Sequence, residues 1–296
     1  MRFKKLKNSL IIFIIFIVAG CASAPVKTQQ DPVFYPEPPA PPRIQYLRSY
    51  TSDQDLGAKK SAFETFITGE KEKVKSLDKP YGVAIHDGKI YVCDTNATVM
   101  VFDLKKKSLD PLQGAQGLGK LVQPVNISID KDGNKYVADP LRGQVVIYDK
   151  NDVYVKALGI PGQWKPVDAA VYEDRLYVAD MQNRVIMVFD KENGDIILKM
   201  GQAKDETFGR LLIAPTNIAF DKEGYLYVAD AGRFQVVKLD RDGRIKSIIG
   251  EIGDRPGNFS RPRGVAVDRE GRLYAVDAAF DNVQIFSKEG RLLFFF

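Results

Sequence analysis

One phrase recurs five times in this chain and constrains its fold more than any other feature. Each copy reads as a proline, an apolar strand, a tight turn, an aromatic and aliphatic strand that ends on aspartate, and then another strand. The copies are spaced 42 to 49 residues apart and begin at Pro80, Pro124, Pro166, Pro215 and Pro262. A period of this length is typical of a β-propeller blade and not of a helical solenoid. The sequence therefore predicts an all-β protein.

Each repeat contains four strand signals. In the fourth copy TNIAFD alternates apolar and polar residues, KEG makes a turn and YLYVAD forms a second strand. QVVKLD then predicts a third strand, RDG a second turn and RIKSIIG a fourth strand. Strands of this length separated by glycine turns are typical of antiparallel hairpins. We expect four-stranded antiparallel blades.

These repeats resemble the NHL repeat, whose pattern is a proline, a strand like PRGVAVD, a glycine turn, a strand like LYVAD and an apolar strand. The resemblance covers about residues 80–296 and implies a propeller that usually has six blades. Five complete copies are visible. The segment RIQYLRSY (Arg43–Tyr50) is similar to RIKSIIG and is expected to supply the outer strand of a partial sixth blade. On this hypothesis the chain is truncated after Phe296, and a closed five-bladed ring is the alternative.

The N-terminus predicts export and lipid anchoring. Residues 1–20 begin with a basic stretch and continue with an apolar run from Leu10 to Ala19, which is too short to span a bilayer and is typical of a signal peptide. The run ends on Val-Ala-Gly-Cys, which resembles the lipobox of bacterial lipoproteins. The resemblance implies acylation of Cys21 and membrane attachment through that lipid.

Two segments separate the anchor from the repeats. Residues 21–42 contain five prolines between Pro36 and Pro42 and predict a semi-rigid tether of extended geometry. Residues 43–79 are interpreted as a strand, a short helix over about residues 61–68 that starts on the capping box SAFE, and a charged lead-in. The predicted domains are thus 1–20, 21–42, 43–79 and 80–296.

Charge argues against one function class, and the cysteine content rules out an intrachain cross-link. Without the four basic residues of the first twenty, the chain has 39 basic and 38 acidic residues, so it lacks the charge excess of a nucleic-acid-binding protein. After lipidation of Cys21 only Cys93 remains as a thiol, which permits no intrachain disulfide. Cys93 stands where other repeats have alanine or valine, and we interpret it as a small core residue.

The loops between second and third strands and the loops between blades are expected to share one face of the propeller. Arginine and exposed aromatic residues on such a face are typical of protein-binding hot spots. Bracing of neighbouring blades is the structural alternative for any one of these residues. The candidates are Trp164, Arg142, Arg184, Arg233, Phe234 and Phe280.

Catalytic and metal sites are less well supported. An aspartate closes every second strand, at Asp94, Asp139, Asp180, Asp230 and Asp277, and such a repeated residue is expected to accept backbone hydrogen bonds. The amidating lyases and streptogramin lyases of this architecture depend on histidines, and this chain has only His86. We predict no catalytic residue, no metal site and no cofactor.

The expected function is therefore non-catalytic. We expect an envelope lipoprotein that presents one propeller face to a protein or an envelope polymer. In a cell with two membranes, Ala22 after the lipidated cysteine favours the outer membrane, facing the periplasm. The alternative is a metal-dependent hydrolase or lactonase that uses the central channel, by analogy with gluconolactonase-like propellers.

Overall fold

The computed structural model describes residues 32–57, 74–96, 98–202 and 211–296. The chain divides into two compact units, Met1–Leu47 and Arg48–Phe296. The predicted signal peptide, Cys21 and the predicted helix at 61–68 lie outside the described residues. Within the described residues no helix is both long and apolar enough to cross a membrane.

The first unit contains a short hairpin. Strand β1 (Val33–Tyr35) pairs antiparallel with β2 (Ile44–Tyr46), and the Arg43 N–H donates to the Tyr35 carbonyl at 2.8 Å. The segment RIQYLRSY is expected from its sequence to form the outer strand of a blade. In the structure only Ile44–Tyr46 of this segment is a strand, and it pairs with β1 and not with a blade. The proline-rich stretch also turns back instead of continuing extended, since the Ala40 N–H donates to the Glu37 carbonyl.

In the part of the second unit that the structure describes, there are five four-stranded antiparallel sheets, which we call blades 1 to 5. Two short 3₁₀ helices accompany them, η1 (Asp53–Leu56) before blade 1 and η2 (Gly117–Gly119) between blades 1 and 2. The strands are, in blade 1, β3 (Pro80–His86), β4 (Lys89–Asp94), β5 (Thr98–Asp103) and β6 (Ser108–Pro111); in blade 2, β7 (Asn126–Ile129), β8 (Lys135–Asp139), β9 (Gln144–Tyr148) and β10 (Tyr154–Leu158); in blade 3, β11 (Pro166–Tyr172), β12 (Arg175–Asp180), β13 (Val185–Asp190) and β14 (Ile196–Met200); in blade 4, β15 (Pro215–Phe220), β16 (Leu226–Asp230), β17 (Gln235–Leu239) and β18 (Ile245–Ile249); and in blade 5, β19 (Pro262–Val267), β20 (Leu273–Asp277), β21 (Asn282–Phe286) and β22 (Leu292–Phe295).

Each blade is a meander in which strands pair in chain order, from the first strand at the centre to the fourth at the rim. The first strands of successive blades contact one another from β3 through β7, β11 and β15 to β19. This arrangement confirms the predicted all-β propeller with four-stranded antiparallel blades. The blade boundaries agree with the sequence repeats because each proline stands at or just before a first strand.

The core lies between the faces of neighbouring blades. The second strand contributes an alternating pair of side chains to each interface, as in Tyr177 and Ala179 of blade 3, which pack against Ile218 and Val228 of blade 4. Cys93 holds the position of Ala179 in blade 1 and is fully buried, which confirms its interpretation as a core residue. Small residues here let adjacent sheets approach closely, and the tyrosines fill the wider space.

The aspartate that closes each second strand joins two loops. Asp230 accepts the backbone N–H groups of Ile213 and Ala214 at 2.8 Å each, and that of Gly232 at 3.0 Å. Equivalent bonds reach Asp94, Asp139, Asp180 and Asp277 from the loop that precedes each blade. The predicted hydrogen-bonding role is confirmed. It also places the loops between blades and the loops between second and third strands at one end of the propeller, here called the top face.

The junction between blades 5 and 1 differs from the other four. Val83 of β3 is 59% exposed, whereas Ile127, Ala169 and Ile218 at the same repeat position are 2–5% exposed. Across the junction, Val276 of β20 is 38% exposed, although its counterparts in the other blades are fully buried. In the described chain, therefore, five blades form an arc whose two end faces lack the packing found between the other blades.

Part of the open face of blade 1 is covered by the segment that precedes it. Leu56 of η1 packs against Phe102 and Leu109 of the outer strands, together with Tyr50 and Leu77. The Leu77 N–H donates to the carbonyl of residue 51 at 2.9 Å, which ties the two ends of this segment together. The outer half of the face is thereby covered, while the central strand β3 stays exposed.

Candidate binding face

The turns on the top face share one unusual backbone position. In blades 2 to 5 the fourth residue after the closing aspartate has a positive φ: Gly143 at 71°, Arg184 at 60°, Phe234 at 58° and Asp281 at 49°. Left-handed backbone is unfavourable for residues with a Cβ, so three of these turns hold a large or polar side chain in a strained conformation. Such strain is common at functional positions. Two of these residues, Arg184 and Phe234, are predicted contact residues.

Two of the predicted arginines brace loops. Arg142 donates to Gln144 Oε1 at 2.7 Å, to the Leu118 carbonyl at 2.9 Å and to the Lys120 carbonyl. Arg233 donates to the Leu211 carbonyl at 2.8 Å. These bonds join each arginine to the loop that connects its blade to the preceding one. Bracing of neighbouring blades therefore describes both residues better than direct contact with a partner.

Trp164 has a mixed environment. Its ring centroid lies 5.6 Å from that of Phe189 at an interplanar angle of 42°, and it packs against the core between blades 2 and 3. It also lines a cavity of about 540 Å³ on the top face, which we call the amide cavity. Its described lining residues are Gly162, Gln163, Trp164, Gln182, Asn183, Val185, Met187, Lys199 and Gln202.

Arg184 and Phe280 are the exposed members of the predicted set. Arg184 stands beside the amide cavity on blade 3, and Phe280 lies on blade 5, 42% exposed. Phe280 lines a groove of about 130 Å³ together with Arg255, Asn282 and Phe295. Phe234 is half-buried on blade 4. The top face therefore brings the predicted residues to one end of the propeller but distributes them over four blades.

A second cavity occupies the centre of the propeller, where the sequence-based prediction places a channel but names none of its lining residues. This central cavity has a volume of about 570 Å³ and reaches from the first strands of all five blades to the open junction, where Val83 and Val276 line it. Its polar wall includes the third residue of three repeats, which is Asn126, Asp168 and Asn217. The first and fifth repeats have Gly82 and Gly264 at this position.

Asp168 is the buried centre of this polar wall. Its carboxylate accepts the N–H of Ala169 at 2.8 Å, the N–H of Ile218 at 2.8 Å and the Nδ2 of Asn217 at 3.4 Å. The side chain of Asn126 also hydrogen-bonds to it. Burial nevertheless dominates and raises the pKa of Asp168 to about 7. The carboxylate links blades 2, 3 and 4 around the channel.

The remaining candidate chemistry lies elsewhere. His86 ends β3 at the opposite face, next to the hairpin turn of blade 1. Burial raises the pKa of the Cys93 thiol well above its usual range, which makes it a poor nucleophile. Among the described residues, no group of three or more His, Cys, Asp or Glu side chains is arranged to hold a metal ion.

Comparison with known proteins supports the fold. No protein-family description and no curated protein matches the chain. The fold is similar to that of virginiamycin B lyase from Staphylococcus aureus, with 15% identity over 74% of this chain and 69% of the lyase and a TM-score of 0.57. It is also similar to a structure of a nidogen/laminin complex, with 17% identity over 75% of this chain and 83% of the matched chain and a TM-score of 0.57.

The similar structures belong to proteins with different kinds of activity. One related structure is a catalytically inactive lyase, in which alanine replaces a histidine, with quinupristin. The nidogen/laminin structure is a complex between proteins. At such low identity the similarity shows a β-propeller and does not separate a catalytic role from a binding role.

Proposed function

We propose that this chain is a non-catalytic binding protein that presents the top face of its propeller to a protein or an envelope polymer. The observation that supports this proposal is the exposure of Arg184 and Phe280 on top-face turns, each beside a cavity or groove. Arginine and aromatic side chains next to concave surfaces are the usual anchors of protein interfaces. The repeated aspartates offer little for catalysis because backbone N–H groups occupy their oxygens.

Cross-linking capture from native envelope extract tests this proposal. The wild-type chain is compared with an Arg184→Ala/Phe280→Ala variant and with a matched Val153→Ala/Arg244→Ala variant, whose changes lie at exposed turns of the opposite face. We expect one binding partner to be retained by the wild type and the matched variant and lost by the top-face variant. Equal capture by all three proteins would contradict the choice of face.

We further propose that the chain is a bacterial lipoprotein anchored through Cys21 and, in a cell with two membranes, held at the outer membrane facing the periplasm. The apolar run that ends on Val-Ala-Gly-Cys supports this proposal. Metabolic labelling with an alkyne fatty acid tests it: label is expected on the wild type and absent from Cys21→Ser. Label that persists in the variant would contradict anchoring at this residue.

The repeats support assignment to the NHL type, and the open junction supports a sixth blade between blades 5 and 1. Exposed side chains at positions that other blades bury are the relevant observation. A variant with a copy of residues 215–261 appended after Phe296 tests whether the junction accepts a blade. We expect a higher melting temperature and weaker binding of an apolar fluorescent dye; unchanged values would argue for a five-bladed protein.

The second candidate is a metal-dependent hydrolase or lactonase whose site is the central cavity. The carboxylate of Asp168 and the amides of Asn126 and Asn217 line this cavity, and such groups favour this candidate. The arrangement does not fit a cation well. N–H donors from Ala169, Ile218 and Asn217 face the carboxylate oxygens that a cation would need. Metal analysis of the purified protein decides: a stoichiometric divalent ion that is lost in Asp168→Ala would favour the hydrolase.

A further inference from the structure

The amide cavity on blade 3 has an unusual chemical composition. Four of its lining side chains are primary amides, and Lys199 carries the one charge among the described lining residues. Apolar surface comes from Trp164, Val185 and Met187. A volume of about 540 Å³ is in the range of small-molecule binding sites. The four amides are Gln163, Gln182, Asn183 and Gln202.

A group of amides suits a ligand that carries many hydroxyl groups. Each amide donates and accepts hydrogen bonds, and so does each hydroxyl. Gln182 uses its Nε2 to donate to the Gly162 carbonyl at 3.3 Å, and Asn183 uses its Nδ2 to donate to the Gln163 carbonyl at 3.0 Å. These contacts hold the two side chains against the loop before blade 3. The polar edge of the cavity is thereby organised before a ligand arrives, which reduces the entropy lost on binding.

Trp164 supplies the complementary apolar surface. Its contact with Phe189 and with the core between blades 2 and 3 holds the indole in place at the cavity wall. A sugar ring has polar hydroxyl groups around its rim and C–H groups on its faces. An indole beside several amides matches both parts of such a ring. Lys199 adds an ammonium group, which favours a carboxylate on the same ligand.

We propose that the amide cavity binds a saccharide unit of an envelope polymer, with the sugar ring against Trp164, hydroxyl groups at Gln182 and an acidic substituent at Lys199. This proposal rests on the proposed function, since it specifies what the top face recognises. The cavity is formed by blade 3 and the loops that flank it, so the proposal is independent of what occupies the junction between blades 5 and 1.

The single tryptophan of the chain makes the test direct. The full-length protein in a detergent without sugar groups is titrated with cellobiose and with cellobiouronic acid, which differ by one carboxylate, and Trp164 fluorescence is recorded. We expect a saturable change with both disaccharides and tighter binding of the acidic one. Gln182→Ala is expected to weaken binding about fivefold, the effect of one hydrogen bond. Gln113→Ala, an exposed glutamine on a loop between blades 1 and 2, serves as the matched control and is expected to bind normally.

Lys199→Gln tests the charge preference and should remove the difference between the two disaccharides. Soluble peptidoglycan strands and lipopolysaccharide core oligosaccharide are then each tested as competitors of cellobiouronic acid. The one that displaces it identifies the source of the acidic glycan. A fluorescence signal that does not saturate with either disaccharide, or equal affinity in the wild type and Gln182→Ala, would overturn the proposal. If capture of a protein through Arg184 and Phe280 succeeded alongside such a result, the binding function would stand and only the saccharide specificity would fail.

Discussion

The buried carboxylate of Asp168 makes the stability of this protein depend on pH in a direction opposite to that of most aspartates. Its pKa is about 7 in the folded protein, against 3.8 for an ordinary aspartate, because burial outweighs the hydrogen bonds that it accepts. Between these pH values the folded state holds a proton that the unfolded state has released. The free energy of unfolding therefore falls as the pH rises through this window.

The size of the effect follows from the pKa difference. One pKa unit corresponds to about 1.4 kcal/mol, so a shift of roughly three units predicts a loss of about 4 kcal/mol between pH 4 and pH 8. Asp168→Asn keeps the shape of the side chain and removes the titration. We expect the variant to lack this component of the pH dependence, so that its stability relative to wild type rises with pH.

Urea unfolding followed by circular dichroism at pH 4, 5, 6, 7 and 8 measures this difference. Other titrating groups contribute equally to both proteins and cancel. Asn217→Ala provides a second check, because loss of its hydrogen bond raises the pKa of Asp168 further and should extend the fall in stability to higher pH. A constant difference between wild type and Asp168→Asn from pH 4 to pH 8 would refute the reasoning.

Four further predictions concern the propeller itself. Arg184→Gly is expected to stabilise the fold by about 0.5–1 kcal/mol by relieving its left-handed backbone, and thermal unfolding measures this; a lower melting temperature would contradict it. Val83→Asp should change the melting temperature little, whereas Ile127→Asp at the same repeat position should prevent folding. Equal damage from both would mean that the junction is packed in solution. Asp230→Ala leaves three backbone N–H groups without their acceptor and should lower the free energy of unfolding by at least about 2 kcal/mol in denaturant titration. A smaller loss would mean that water accepts these hydrogen bonds in the variant. Cys93 should react with a thiol reagent only after unfolding; rapid reaction of the native protein would contradict its burial.

The repeats made the blades predictable. Alternating apolar residues and glycine turns are local signals, and five aligned copies reinforce one another. The hairpin between β1 and β2 was not predictable in the same way. It depends on pairing between Val33–Tyr35 and Ile44–Tyr46, and neither segment carries a repeat to guide its assignment.

The top face was predictable as a location, but the contacts of its residues were not. Sequence placed Arg142 and Arg233 on top loops, yet only the folded chain shows that carbonyl groups of neighbouring loops accept their hydrogen bonds. The polar wall of the central cavity did have a signal. Aligning the five copies on their prolines places Asn126, Asp168 and Asn217 at one position, where apolar side chains would suit a simple core.

Within the described residues of the second unit, the open junction makes the five blades a linear array of modules and not a closed circle. Among these residues, blades 2, 3 and 4 contact a neighbouring blade on both sides, whereas blades 1 and 5 each contact one neighbouring blade. In such an array, stability is approximately a sum over modules and their nearest-neighbour interfaces. Amide hydrogen exchange should consequently be slowest in blade 3 and faster toward blades 1 and 5, because a terminal module can open by breaking a single interface.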